Sequence, residues 1–321
     1  MKHLFLFNPH AGTGSKQVAV RAEVDRAFYG EDYTVVTTTH AGHAAELAHA
    51  ACASGEAVRI YACGGDGTLN EVVQGAAGYE NAAVTHVPMG TGNDFLRLFG
   101  PDAPARFTDF SALKDGPQAS FDLMECNGRI GLNVICAGVD ARVAADVHRY
   151  KALPLISGTG AYVLSLAVNI VKGLSRPMTV EIDGEVLDGG CCILCICNGR
   201  YYGGGFMPVG EAMPDDGILN VLYIPTVKRL TFARYVGAYG KGHYRDLPPG
   251  VVKAFRCTRV HMVSPEPITA VVDGETVRET ELTVALSHQK VNFFYPAGLS
   301  YAPAPEFQRY LVSVGTPLVR L

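Results

Sequence analysis

The sequence predicts two domains: an α/β domain built on a parallel sheet, followed by an antiparallel β-sandwich. Three observations carry that expectation. Strand-like and helix-like segments alternate over the first third, glycine-rich turns follow three of the strands, and near residue 120 the pattern changes to strand after strand. A chain of 321 residues is long enough for two cores.

The elements follow in order. Leu4–Asn8 is an apolar strand, and Ser15 is the candidate N-cap of a helix running to about Tyr29 and closing near Gly30. Tyr33–Thr39 is β-branched and strand-like, and His43–Ser54 is helical, with Gly55 as its stop. Val58–Cys63 is the next strand, followed by a helix over Leu69–Ala77, the strand Ala83–Pro88 and a helix beginning near Asn93. This βαβαβα order implies a parallel sheet covered on both faces. Beyond it, Phe121–Cys126 and Arg129–Cys136 flank Asn127-Gly128, a hairpin signal. Met178–Ile182, Cys191–Cys197, Leu219–Ile224, Val251–Val263, Ile268–Val272 and Thr283–Leu286 read as strands, with helices only over Gly158–Leu174 and Val227–Tyr244. The expected division is a nucleotide-binding domain over 1–122 and a β-rich substrate domain over 123–299, with a tail of about 300–321 packing back on the first.

Composition excludes several function classes. The formal net charge is −4 and there is no basic run, so nothing steers the chain to nucleic acid. Nine cysteines without a secretory leader place it in a reducing cytoplasm. The longest helix-like apolar stretch, Tyr162–Leu174, is too short to span a bilayer and contains Asn169 and Lys172. It reads as a core helix, with a shallow membrane contact or a wall of a lipid-entry cleft as the functional alternative. The run Cys191-Cys192-Ile193-Leu194-Cys195-Ile196-Cys197 reads as a buried strand with 191, 195 and 197 on one face and 192 on the other, and not as a zinc site. His40, His43 and His49 lie near helical spacing without a Cys or carboxylate partner, and read as solvated or capping residues.

Three strand-ending turns carry the chemistry. They are Asn8-Pro9-His10-Ala11-Gly12-Thr13-Gly14-Ser15-Lys16, Gly64-Gly65-Asp66-Gly67-Thr68-Leu69-Asn70-Glu71 and Pro88-Met89-Gly90-Thr91-Gly92-Asn93-Asp94-Phe95. Neither a P-loop nor a complete dinucleotide fingerprint is present. Turns at the carboxyl ends of parallel strands converge on one crevice, where amides suit phosphate oxygens and carboxylates suit a metal or its waters.

These motifs, followed by Tyr202-Gly203-Gly204-Gly205-Phe206, Pro214-Asp215-Asp216-Gly217 and Asp273-Gly274-Glu275, resemble the diacylglycerol kinase catalytic family, which includes bacterial lipid kinases and sphingosine kinases. The resemblance runs from Asn8 to Glu275 and is similar in fold to NAD kinase; GGDGT is shared with NAD kinases, whereas GTGNDF is specific to lipid kinases. It implies ATP contacts from Asn8, Pro9, His10, Ala11, Gly12, Thr38, Gly65, Asp66, Gly67, Thr68, Leu69, Asn70, Glu71 and Thr91. It implies that Asp66 and Asp94 organise the catalytic Mg2+. A structural Mg2+ would sit on Asp216 with the carbonyls of Met213 and Ile218, and Glu275 would be the general base. Asp183-Gly184-Glu185 is a second match to the last motif, which spacing does not separate from the first, and Asp66 is the alternative base. Gly210-Glu211 departs from a frequent Pro in relatives. The implied activity is ATP- and Mg2+-dependent phosphorylation of a lipid hydroxyl, foremost diacylglycerol, by a cytoplasmic protein peripheral to the membrane. Its partner is a lipid at the membrane surface, with no nucleic acid, and the reading leaves room for a homodimer. The alternatives are a sphingoid base or other lipid as acceptor, NAD kinase, and a nucleotide-binding regulator without catalysis.

Overall fold

The computed structural model describes residues 1–90, 92–151 and 158–311. They form two compact units. The first is Met1–Leu123 with Met213–Asp215 and Ser287–Ala302; the second takes Met124–Ala212, Asp216–Leu286 and the described residues from Pro303 onward. The chain thus returns to the first unit over Ser287–Ala302, ahead of the tail expected to do so, and Pro303–Leu311 goes with the second.

In the first unit, β1 (Lys2–Phe7), α1 (Gly14–Ala27), β2 (Tyr33–Thr37), α2 (His43–Ala53), β3 (Val58–Gly64), α3 (Asp66–Ala76) and β4 (Ala82–Pro88) alternate as expected. The four strands are parallel in the order β2-β1-β3-β4. Every residue of β4 is buried, the mark of a strand covered on both faces. Phe5 stacks on Tyr61 with ring centroids 4.1 Å apart, and Phe28 meets both rings edge-on. His3 bonds the Tyr61 hydroxyl at 3.0 Å, and burial pulls its pKa down to about 4, so the ring is neutral at pH 7. A 3-10 turn over Phe95–Phe99 replaces the helix expected from Asn93, because Asn93 itself takes a left-handed φ of 51°. Two short helices, α4 (Ala103–Arg106) and α5 (Phe110–Lys114), complete this segment.

The second unit contains part of β5 (Gln118–Cys126), then β6 (Arg129–Gly131), β7 (Val134–Gly138), α6 (Val139–Lys151), α7 (Gly158–Lys172), β8 (Arg176–Pro177), β9 (Thr179–Ile182), β10 (Glu185–Leu187), β11 (Gly190–Cys197), β12 (Leu219–Pro225), α8 (Arg229–Tyr239), β13 (Lys253–Cys257), β14 (Arg259–Val272), much of β15 (Glu275–Phe294) and α9 (Pro305–Gln308). The end of β15 pairs parallel with β4 inside the first unit. One layer runs β13-β12-β11-β7, and another pairs β14 with β15 and β9, all antiparallel. Leu194, Ile196 and Val221 from the first layer share a core with Val180, Met262 and Val284 from the second, which makes the unit a β-sandwich. A register shift between Val263 and Ile268 bends β14, so its last residues pair with β7. Helices α6, α7 and α8 cover the outer face of β11 and β12 through Val143, Ile170 and Phe232.

Several expected elements differ. Helix α6 was not legible as a helix. Arg129–Cys136 is two strands, and Val251–Val263 spans two. A bulge between Cys191 and Ile193 reverses the side-chain alternation, so Cys191 lies in the inner core while Cys192, Cys195 and Cys197 face the helices. All nine cysteines are free and buried.

Helices α2 and α3 touch through Gly75, where an added Cβ would lie 2.2 Å from the Ala45 carbonyl oxygen and 2.9 Å from the Ala48 methyl. Gly75→Ala is expected to destabilise the protein by about 1–3 kcal/mol, the usual cost of overpacking. Urea unfolding measures it, and an unchanged midpoint would contradict the close packing.

Candidate active site

The three glycine turns meet in the first unit. After β3, Gly64 accepts the amides of Met89 at 2.7 Å and Gly90 at 3.2 Å, which seats the turn after β4 against the turn after β3. The approach is backbone on backbone: a Cβ on Gly90 would fall 2.9 Å from the Gly65 Cα. A Cβ on Gly92 would fall 2.5 Å from Asp66 Oδ2. Asp66 opens α3, and its two carboxylate oxygens accept the Asn93 and Asp94 amides, each at 2.8 Å. Asn93 closes the turn by donating from Nδ2 to the Gly90 carbonyl at 2.9 Å.

The turn after β1 joins through Asn8, whose Nδ2 donates to Thr68 Oγ1 at 3.0 Å while its Oδ1 accepts the His10 amide at 2.9 Å. Gln17 donates to the carbonyls of Pro9 and Ala11, holding the turn to α1. Gly12 has φ 69°, and a Cβ there would lie 2.8 Å from the Met89 carbonyl oxygen. Thr13, not Ser15, caps α1 by accepting the Lys16 amide. Thr38, at the end of β2, is buried and donates its amide to the Phe7 carbonyl. His86 lies beneath the cradle, bonds the Gly64 carbonyl at 3.1 Å, and has its pKa lowered by burial.

Not every implied nucleotide contact is offered freely. The Glu71 carboxylate accepts the Ala44 amide in the first turn of α2, whose N-cap is a glycine without a capping side chain. Leu69 is in the core, so only its backbone could face a ligand. Asp94 is buried and lies 3.4 Å from the Arg97 guanidinium. Thr91 lies outside the described residues.

In the second unit, the two Asp-Gly-Glu turns prove to be one device used twice. Asp273 and Gly274 both have left-handed φ, as do Asp183 and Gly184. The Asp273 carboxylate accepts the successive amides of Leu132, Asn133 and Val134, whereas Asp183 accepts those of Thr258 and Arg259. Each Glu then opens the returning strand. Glu275 is exposed and Glu185 is half-buried. The sequence reading missed the clamp by Asp273; its signal was an Asp at a turn position that favours a left-handed backbone. Asp216 Oδ1 accepts the Ile218 amide and Gly217 has φ 72°. Asp215, which belongs to the first unit, accepts the Tyr301 hydroxyl there. Among the described residues no cluster of three or more His, Cys, Asp or Glu side chains forms a metal cage. A cation at the Asp216 turn would draw on that carboxylate with neighbouring carbonyls and water. That hard-oxygen set suits Mg2+. An apolar cavity beneath α8, lined by Ile193, Phe232, Val236 and Tyr239 among others, holds only about 20 Å3 and is not a nucleotide site.

An open parallel sheet with glycine turns drawn together at its strand ends, in a chain whose second unit is a β-sandwich, is the architecture of a kinase class. Residues 2–126 match the diacylglycerol kinase catalytic domain, and residues 133–295 match the YegS C-terminal NAD kinase beta sandwich-like domain. The chain belongs to this lipid kinase family. A probable lipid kinase YegS-like from Pseudomonas aeruginosa is 31% identical over 304 residues, covering 92% of this chain and 94% of the relative. Another from Pseudomonas putida is 30% identical over 276 residues, covering 82% and 85%. A diacylglycerol kinase structure from Bacillus anthracis shares the fold, with a TM-score of 0.68 at 19% identity over 93% of this chain and 98% of that one.

Asp66→Asn keeps one acceptor oxygen and turns an NH2 group towards the second amide. The expected cost is about 1–3 kcal/mol, that of an unsatisfied buried donor. Amide exchange at Asn93 and Asp94 should speed up with it. Unchanged stability and exchange would show that the two bonds do not hold the turn.

Proposed function

We propose that the chain is an ATP- and Mg2+-dependent kinase that phosphorylates a lipid hydroxyl, with diacylglycerol as acceptor and phosphatidic acid as product. The observation that carries this reading is the cradle itself: three glycine turns drawn together at the ends of parallel strands, with Asp66 at its centre. The amides of the turns and the N-terminus of α3 bind and orient the phosphates. Asp66 and Asp94 would hold Mg2+, partly through water, and the ion would supply neutralisation of phosphate charge. In the same reading Asp216 would hold a structural Mg2+, with the carbonyls of Met213 and Ile218.

The acceptor hydroxyl oxygen forms a bond to the γ-phosphorus as the bond to the bridging oxygen of ADP breaks. A carboxylate takes the hydroxyl proton. Glu275 fits that task better than Asp66. Both Asp66 oxygens already accept amides, whereas Glu275 is exposed and, among the described residues, has no hydrogen-bond donor or ion-pair partner. Glu275 is also seated by its neighbour Asp273, which fixes the start of β15. Among the described residues no helix is long and apolar enough to cross a membrane, which suits an enzyme that visits its lipid at a cytoplasmic surface.

Glu275→Gln is expected to lower kcat on a short-chain diacylglycerol by about 10²–10⁴-fold, the usual worth of a general base, with ATP affinity unchanged. Glu185→Gln should retain near-normal kcat. A severe loss confined to the Glu185 variant would reverse the assignment. A panel of labelled-ATP assays with diacylglycerol, a sphingoid base and NAD identifies the acceptor, and transfer to NAD alone would overturn the lipid reading.

A further inference from the structure

Helix α7 buries polar side chains as well as apolar ones, and carries aliphatic side chains on its outer side. Its mid-helix polar residues, Ser165 and Asn169, are 0% and 2% exposed. Ser165 donates to the Val143 carbonyl at 2.9 Å, and Asn169 donates to Asp146 at 3.3 Å, so both face α6. Leu166 and Ile170 lean on the core. The opposite side carries Leu164, Ala167, Val168 and Val171, spaced i, i+3, i+4 and i+7. Leu164 and Val168 are half-buried, Ala167 is exposed, and Val171 is 75% exposed. An ordinary surface helix carries polar residues on its outer side.

A collar of cations surrounds the end of this stripe. Arg229 donates to the carbonyls of Ile170 and Val171, Arg176 to that of Lys172, and Arg142 to those of Gly173 and Leu174. Three guanidiniums therefore gather at the negative end of the α7 dipole. Lys172 lies 3.5 Å from Asp146, which also faces Arg149 at 3.6 Å. Lys228 is exposed beside Arg229, and Leu230, next along α8, is 85% exposed. A chain of net charge −4 thus concentrates cations around exposed aliphatic groups at one place.

We infer that the outward stripe of α7, with the start of α8, docks on the anionic headgroup layer of a lipid leaflet. Val171 and Leu230 enter the acyl boundary, and Lys172, Arg176, Lys228 and Arg229 meet the headgroups. Apolar burial and attraction to anionic lipid are the two contributions that hold a protein at such an interface. Charge complementarity selects this occupant over a second copy of the chain, because two copies would bring two cation collars together. The inference extends the lipid-kinase reading by naming the surface through which the enzyme reaches its substrate.

Co-flotation of the full chain with vesicles, without ATP, tests it. Native protein should bind vesicles of phosphatidylcholine mixed with phosphatidylglycerol, bind pure phosphatidylcholine far less, and release with salt. Val171→Glu with Leu230→Glu is expected to lower partitioning by about tenfold or more, as two aliphatic groups are exchanged for charges. Lys228→Ala, an exposed change with no core contact, should lower it by about fivefold. Phosphorylation of a soluble short-chain lipid should be unchanged in all variants. Loss of that soluble activity in native protein would count against the proposed function and not against docking. Undiminished flotation of both variants would overturn the docking surface. So would a native dimer that the Val171 and Leu230 changes split without altering flotation.

Discussion

Two backbone amides, those of Asn93 and Asp94, end on a single carboxylate, and the shape of the cradle hangs on that pair of bonds. Hydrogen bonds to an ionised acceptor are about twice as strong as neutral ones. Asp66 also stands at the first position of α3, where the helix dipole favours a negative charge. The bonds draw the turn after β4 so close to the turn after β3 that only glycine fits at 90 and 92. A side chain at either place would part the loops, and the backbone of the cradle would lose its form.

The second unit repeats the principle. Asp273 holds three successive amides and Asp183 holds two, each fastening a tight turn to a neighbouring strand. The acids of these tight turns thus divide into two kinds. One kind is spent on backbone amides and shapes the chain. The other, of which Glu275 is the instance, stands clear and is placed by a member of the first kind two residues away.

The alternation of β1 to β4 with their helices was legible because buried parallel strands leave continuous apolar runs and their turns leave glycines. The hairpin at Asn127-Gly128 was legible for the same reason: the turn dictates its residues, and both take left-handed φ. What failed was whatever depended on tertiary contact. Helix α6 was hidden because its N-terminal Asp140 is buried against Tyr202, whose hydroxyl it accepts at 3.1 Å, and no local pattern announces that partner. Alternation alone puts Cys195 and Cys197 on one face correctly but exchanges Cys191 and Cys192, because a bulge leaves no mark in it. The cradle residues were named by resemblance, but their geometry was not foreseen: Glu71 turns out to cap α2, and the amide partners of Asp66 lie 27 and 28 residues away.

The buried thiols have a consequence of their own. Burial raises the Cys52 and Cys126 pKa values to about 11 and that of Cys192 to about 12, with Cys63, Cys136, Cys191 and Cys197 pushed well above the usual thiol range. A thiol that is neither ionised nor reachable does not meet an alkylating reagent until the chain around it opens. The molecule therefore carries its own clock. Cys52 and Cys63 time the opening of the first unit, and the remaining cysteines time the second, so the order in which label arrives would tell which half lets go first.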